Sequence, residues 1–356
     1  MKKRLTYFIS TLALFSSISV AAQQPAAENP GTETPSASAP APAPFKLELP
    51  KFSGFVNIRY KYSDKDNSNS FDIRRARLSA SGKLHPKLEY KIQAEYETSV
   101  KILDAYFIYK VHPAFNIQVG QFKAPFTQES YISPTSLTTI DNTTAISKLN
   151  GYKDESGVSS LANGRDVGIQ FQGGFLKSKA GFSVLNYKIG VFNGSGINTT
   201  DNNKKKDVGG NLVVRPLEHL SFSGGYYAGS YYGTNPTIKD EEEKSDHVRN
   251  RANAGIKYDN NKLLVTSEYV YGHTATLEGQ GVNVLAAYTI GKHWQPLLSY
   301  DYYQKDKNDS ADTQIYQVGV NYRPIKYFRL QAAYTHEKTT GSDDVNNVIV
   351  QATVQF

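Results

Sequence analysis

Apolar and polar side chains alternate along the chain from Phe52 to the last residue. In one run, Val56 and Ile58 take one parity while Asn57 and Arg59 take the other. The same alternation recurs around positions 92, 300, 331 and 350. Because successive side chains of a β-strand point to opposite faces, each run predicts a strand with one apolar face and one polar face.

The connections between these runs alternate in length. Seven are short, at positions 85–87, 112–114, 178–181, 216–219, 259–262, 291–293 and 324–326. Eight others are mostly longer and polar, and they include 124–165 and 273–280. These fifteen connections join sixteen strands, and their alternation places the tight turns at one end of the sheet and the loops at the other.

This arrangement predicts an all-β fold, a 16-stranded antiparallel transmembrane β-barrel with short periplasmic turns and longer extracellular loops. A barrel crosses lipid because all of its backbone polar groups are paired within the sheet. The mean hydropathy of −0.48 is compatible with this fold, since half of each strand faces water. Many of the 25 tyrosines fall near strand ends, where aromatic girdles form. The alternative is a soluble secreted β-sandwich or β-helix.

The first 45 residues stand apart from the alternating pattern. Residues 1–22 combine a basic start, an apolar stretch and small residues near Ala22, which predicts a cleaved secretory signal peptide. Residues 23–45 are rich in Ala and Pro, which predicts a flexible periplasmic linker, and residues 46–356 form the predicted barrel. Loss of the signal peptide with its three basic residues lowers the formal net charge from +7 to +4, which does not indicate a nucleic-acid partner.

Three stretches in the first half of the chain carry a resemblance to a known family. They are FDIRRARL at 71–78, DAY at 104–106 and VGQFKAPF at 119–126, the last followed by a long connection and GRDVG at 164–168. In order and spacing they resemble the phosphate-selective porin O and P family. The resemblance implies a sixteen-stranded homotrimeric porin in the outer membrane of a Gram-negative bacterium. It also implies a long constriction loop after strand five, residues 124–165, that folds into the lumen; a solvated external loop is the alternative.

The alternation also sorts the charged side chains between lumen and lipid. A charge that faces lipid at mid-depth costs about 2–4 kcal/mol, so the charged parity is expected to face the lumen. Basic side chains in a narrow water-filled channel raise the local concentration of anions. The candidate anion-attracting residues of the pore are Arg59, Lys61, Arg75, Arg77, Lys83, Lys91, Lys123, Lys188, Arg249, Arg251 and Arg329.

The arginines of strand two leave two interpretations open. Arg75 and Arg77 share a parity, so they can form a ladder that attracts anions. They can equally pair with acids on neighbouring strands, and the candidates are Glu95, Glu97 and Asp104. Arg74 has the opposite parity and is expected to extend toward the outer rim of the barrel.

The sequence contains no pattern typical of a catalytic or cofactor site. It has no cysteine, no pair of histidines at metal-ligand spacing and no Gly-x-Ser-x-Gly element. We therefore expect no cofactor, no metal and no enzyme activity. The predicted function is a passive diffusion channel with a preference for small anionic solutes such as phosphate, surrounded by outer-membrane lipid. The alternatives are an outer-membrane β-barrel enzyme and an adhesive or structural barrel.

Overall fold

The computed structural model describes residues 48–150, 164–236, 238 and 243–356. The predicted signal peptide (1–22) and linker (23–45) lie outside these ranges. These ranges contain two short helices, α1 (Gln128–Tyr131) and α2 (Thr144–Leu149), and no helix within them is long and apolar enough to cross a membrane. The strands are β1 (Lys51–Ser63), β2 (Ser68–His85), β3 (Leu88–Glu95), β4 (Lys101–His112), β5 (Phe115–Lys123), β6 (Arg165–Lys177), β7 (Ser183–Phe192), β8 (Asp207–Leu217), β9 (Leu220–Ala228), β10 (Ser230–Gly233), β11 (Ser245–Asp259), β12 (Leu263–Thr274), β13 (Leu277–Tyr288), β14 (Trp294–Gln304), β15 (Asp312–Ile325), β16 (Phe328–Thr339) and β17 (Val345–Gln355).

The strands form one closed antiparallel sheet. Closure comes from β1, which pairs with β2 on one side and with β17 on the other. β9 and β10 are two parts of one barrel strand, because both pair with β11 and only Gly229 separates them. The barrel therefore has sixteen strands, and the fold class predicted from the sequence is confirmed.

The connections follow the predicted alternation with two exceptions, of which one is the β1–β2 connection, where only residues 64–67 lie between the strands. The seven short connections lie where the sequence predicts them. The predicted loop 273–280 is wrong: β12 and β13 stay paired as far as Thr274 and Leu277, and only Ala275 and Thr276 join them. Ala275 has a φ of 52°, a left-handed conformation of the kind that two-residue hairpin turns require.

The strands separate a buried polar inner face from an exposed apolar outer face. Asn57 of β1 is fully buried inside the barrel, whereas its neighbour Ile58 exposes 51% of its surface on the outside. Aromatic rings lie on the outer face near the short turns, where Trp294 stacks on Tyr322 with ring centroids 4.3 Å apart. This distribution is that of a membrane-spanning barrel with an aromatic girdle.

The connection after β5 folds into the barrel and carries both helices. Ile146 of α2 is completely buried and packs with Phe126 against Val270 of β12 and Tyr303 of β14. An external loop would leave these apolar side chains in water, so their burial stabilises the inward conformation. The described part of the loop, residues 124–150 and 164, therefore lies in the lumen, and the external-loop alternative is wrong for these residues.

Inward-facing glycines of β12 and β13 make room for α2. A Cβ atom on Gly281 would lie 2.4 Å from the Cβ of Ala145, and one on Gly272 would lie 2.7 Å from the Cδ2 of Leu149. Any side chain at these positions would occupy the space of the helix. The bare wall of β12 and β13 thus fixes where the loop sits across the lumen.

Candidate functional site

The constriction loop is held to the barrel wall by carboxylates that meet the beginnings of its helices. Glu268 of β12 accepts hydrogen bonds from the backbone N–H groups of Gln128 (2.8 Å) and Glu129 (3.3 Å) at the start of α1. Asp301 of β14 accepts from the N–H of Thr144 at the start of α2 (2.5 Å). Unpaired N–H groups and the helix dipole both favour a negative group at these positions. Two inward acids of the wall therefore anchor the loop.

A third carboxylate ties the two helices together within the loop. Glu129 of α1 accepts from the backbone N–H of Thr143, 2.7 Å away, and from the side chain of Asn142, 3.0 Å away. Burial raises the pKa of Glu129 to about 8, helped by the nearby acids Glu268 and Asp301. The protonation state of this loop residue therefore changes close to neutral pH.

Basic residues on the inner wall hold the loop through its carbonyl groups. Arg329 of β16 donates from Nη1 to the carbonyl of Leu137 and from Nη2 to that of Pro134, both at 2.8 Å. Arg251 of β11 donates from Nε to the carbonyl of Leu149 at 2.8 Å. Lys123 at the end of β5 donates to the carbonyl of Ser130 at the end of α1. These three candidate residues lie inside the barrel, and each contacts the loop.

Asp141 of the loop is shared by three arginines of β1 and β2. Its carboxylate accepts from Arg59 (3.2 Å), Arg74 (3.2 Å) and Arg75 (3.1 Å). Burial opposes the charged form, but the three guanidinium groups hold the pKa of Asp141 below its ordinary value. Arg59 also bonds Asp72 through Nε (3.0 Å) and Nη2 (2.5 Å).

The expectation that Arg74 extends to the outer rim is wrong. β1 and β2 pair as Asn57 with Arg75 and then as Ile58 with Ile73, so Arg74 is the extra residue of a β-bulge. A bulge interrupts the two-residue period and re-aims the side chain that it contains. Arg74 consequently reaches Asp141 on the inside.

Arg75 and Arg77 of strand two are both paired with acids, as in the second interpretation, but only Arg77 pairs with one of the acids expected from the sequence. Arg77 donates from Nε to Glu95 at 2.6 Å, whereas Arg75 reaches Asp141 of the loop. Asp104 is shared by Lys91 (2.9 Å) and Arg165 (2.6 Å), and Arg165 was not among the residues selected from the sequence. We call this surface the basic wall; its six cations are Arg59, Arg74, Arg75, Arg77, Lys91 and Arg165, and its four carboxylates are Asp72, Glu95, Asp104 and Asp141.

The other candidate cations take no part in the ion pairs of the basic wall. Arg249 is buried and donates to Asp207 at 2.8 Å. Lys188 of β7 places its Nζ 3.6 Å from the ring centroid of Tyr131 in α1. Lys61 and Lys83 are exposed toward opposite ends of the barrel, and Lys83 is 4.0 Å from Glu89.

The structure explains why the segment 119–126 has a glycine at position 120. Gly120 of β5 has a φ of 128°, and a Cβ atom there would lie 2.2 Å from the carbonyl oxygen of Ala105 on β4. Only glycine accommodates this backbone and this close approach. The position lets β5 pack tightly against β4 just before the loop begins.

Within the described ranges, no group of three or more His, Asp or Glu side chains is arranged to hold a metal ion.

A closed sixteen-stranded barrel with an apolar outer face, a charged lumen and a loop that narrows it is an outer-membrane channel of the porin class. The model of the family described as phosphate-selective porin O and P matches residues 45–292. The chain belongs to this family.

Solved structures share the fold at low sequence identity. The anion-selective porin from Comamonas acidovorans is 13% identical, with a TM-score of 0.65 over 86% of this chain and 99% of that one. OmpF of Salmonella typhi is 14% identical, with a TM-score of 0.67 over 86% and 97%. The trimer form of OmpT from Vibrio cholerae is 12% identical, with a TM-score of 0.61 over 86% and 99%. The comparison with curated proteins finds no match.

Proposed function

We propose that this porin conducts small anions, phosphate among them, by passive diffusion past the constriction loop, without catalytic activity. The observation that carries the proposal is the charge of the basic wall, where six cations face four carboxylates. An excess of fixed positive charge in a narrow aqueous passage attracts anions and repels cations. The similar fold of the anion-selective porin from Comamonas acidovorans supports the same assignment.

Arginine is well suited to the proposed solutes. Its planar guanidinium presents several N–H donors that match the oxygens of phosphate and carboxylate groups. Five of the six cations of the basic wall are arginines. A passing oxyanion can therefore hydrogen-bond with Arg74, the most exposed of these arginines, whereas the buried Arg75, Arg77 and Arg165 act on it through their charge.

We further propose that the chain is exported by the signal peptide 1–22, that 23–45 is a periplasmic linker, and that the barrel 46–356 assembles as a homotrimer in the outer membrane. The trimer form of the structural neighbour OmpT supports the assembly. Native mass spectrometry of the detergent-extracted protein measures both features. We expect three copies per particle and a chain that begins near Gln23.

The reversal potential of the purified porin in a planar bilayer with a KCl gradient tests the anion preference. We expect the wild type to favour chloride over potassium. Lys91→Gln should lower the anion-to-cation permeability ratio about two- to threefold, while Asp104 stays paired with Arg165. Lys87→Gln in a periplasmic turn is the matched control and should leave the ratio unchanged. A cation preference of the wild type, or equal ratios in both variants, would contradict the proposal.

A further inference from the structure

A cavity of about 550 Å³ lies on the short-turn side of the constriction loop. Tyr131, Ile132 and Leu137 of the loop form one side of it. Residues at the periplasmic ends of the strands, such as Lys262 and Arg323, form the opposite side. The wall between them runs from β7 and β8 round to β15. A solute that enters from the periplasmic end therefore meets this cavity before it reaches the loop.

The size and lining of the cavity do not suit a small inorganic anion alone. Cavities of roughly 300–1,000 Å³ enclose organic molecules of drug size, whereas phosphate needs only a small part of such a volume. Apolar side chains stand among the polar residues of the lining; they include Tyr131, Ile132, Leu137, Val213, Leu264 and Leu285. An ion without an apolar body would leave this surface in contact with water.

Three cations of the lining form no ion pair with a described acid: Lys188, Arg323 and Lys262, the last of which lies in the exposed turn between β11 and β12. Lys188 contacts the ring of Tyr131, and in the part of the chain that the structure describes no carboxylate forms an ion pair with it. The guanidinium of Arg323 likewise forms no ion pair with a described residue. By contrast, Lys257 in the same lining is paired with Asp259 at 3.0 Å. Lys188 of β7 and Arg323 of β15 belong to barrel strands, so they are the unpaired cations of the wall that an anionic group inside the cavity can approach.

We propose that this cavity is a binding site for organic anions that carry a ring-sized apolar body, with the anionic group at Lys188 or Arg323 and the body against the apolar lining. The inference rests on the proposed anion conduction and names a further solute class for it. Charge brings the solute in, and the apolar lining then retains it because its body leaves water. Inorganic phosphate, which lacks such a body, should pass with little retention.

Block of the single-channel chloride current tests the site, with 2-naphthoate as the probe. The full-length porin is measured in a planar bilayer, with the probe added to each side in turn. We expect 2-naphthoate to interrupt the current at concentrations at least about tenfold below those at which phosphate does, because its ring buries apolar surface. Block should be stronger from the periplasmic side. The uncharged 2-naphthalenemethanol should block far less than 2-naphthoate.

Variants locate the site. Lys188→Gln and Arg323→Gln should each raise the half-blocking concentration of 2-naphthoate, by up to about tenfold, since each removes a charge-assisted contact. Arg323 is exposed, so its variant preserves the test if Lys188→Gln fails to fold. Lys292→Gln, in the exposed turn between β13 and β14, removes a charge outside the cavity and should leave block unchanged.

Two outcomes would overturn the inference. One is block by 2-naphthoate that is no stronger than block by phosphate in a channel that prefers anions; the proposed anion conduction would then stand and the site would fall. The other is block that neither Lys188→Gln nor Arg323→Gln weakens. A cation-selective wild type would instead contradict the proposed function, and the reversal potential shows this before any probe is added.

Discussion

Replacing Asp141 by asparagine would remove the one carboxylate that three arginines share at the constriction. Arg59, Arg74 and Arg75 all donate to it at 3.1–3.2 Å. Asparagine has nearly the same shape, and its carbonyl oxygen can still accept a hydrogen bond from a guanidinium. The substitution therefore changes the charge of the passage by one unit with little change in its shape. We expect Asp141→Asn to make the channel more anion-selective.

The size of the effect follows from Coulomb's law. A unit charge about 7 Å from a permeating ion in water contributes about 0.6 kcal/mol, which screening at about 0.1 M salt reduces to about 0.3 kcal/mol. The local anion concentration then rises about 1.7-fold and the cation concentration falls by the same factor, so the permeability ratio changes about threefold. At about 0.01 M salt the screening is weaker, and the same change becomes about fivefold.

Reversal potentials in KCl gradients at the two mean salt concentrations measure this ratio. Arg74→Gln is the matched variant, because it removes a positive charge that bonds the same carboxylate. It should lower the ratio by about the factor by which Asp141→Asn raises it. If both variants move the ratio in the same direction, or if the effect does not grow at low salt, fixed charge at this position does not determine selectivity and the reasoning is wrong.

Three further changes test the loop, the lipid face and the motif glycine. Burial raises the pKa of Glu129 to about 8 from an ordinary value of 4.5, so Glu129 holds a proton while the loop is packed in the lumen and loses it when the loop is displaced. The stability of the packed loop should therefore fall as the pH rises from about 4.5 to about 8. Increasing noise in the channel current measures this loss. Glu129→Gln should remove this pH dependence, and noise that still follows pH would refute the assignment. Leu212→Arg, on the outer face at the middle of β8, should make the free energy of folding into lipid vesicles less favourable by about 2–4 kcal/mol. Leu217→Arg, near the end of the same strand, should cost about 0–1 kcal/mol. Equal costs would contradict the position of β8 across the membrane. Gly120→Ala should lower the thermal midpoint or prevent folding, whereas Gly224→Ala, where a Cβ would lie 3.7 Å from the nearest atom, should not; similar midpoints would argue against a backbone requirement at Gly120.

The fold could be predicted from the sequence because the two-residue period is a local property. The parity of residues within one strand identifies its inner face, so the inward direction of Asn57 and Arg59 follows from the sequence of β1 alone. The turn at Ala275 could not be anticipated in the same way. Its polar neighbours resemble a loop, and only the continued pairing of β12 with β13 shows that they belong to strands.

The site was less predictable because its contacts join distant parts of the chain. The inward direction of Arg74 depends on a bulge, and a bulge is a property of the pairing between β1 and β2. The role of Asp141 depends on the path of the loop across the lumen. The sequence carries one signal of this path: Gly272, Gly279 and Gly281 leave a smooth inner surface on β12 and β13, and α2 packs there.

The contacts of a lumenal cation separate its structural role from its effect on the field in the pore. Arg77 and Glu95 form an ion pair whose charges largely cancel at the distance of a permeating solute. Arg329 holds the loop through two neutral carbonyl groups, and no acid in the described part of the chain forms an ion pair with it. A carbonyl dipole satisfies the guanidinium without cancelling its charge. Arg329 therefore contributes more to the positive field than Arg77 does, although its contacts are those of a structural residue.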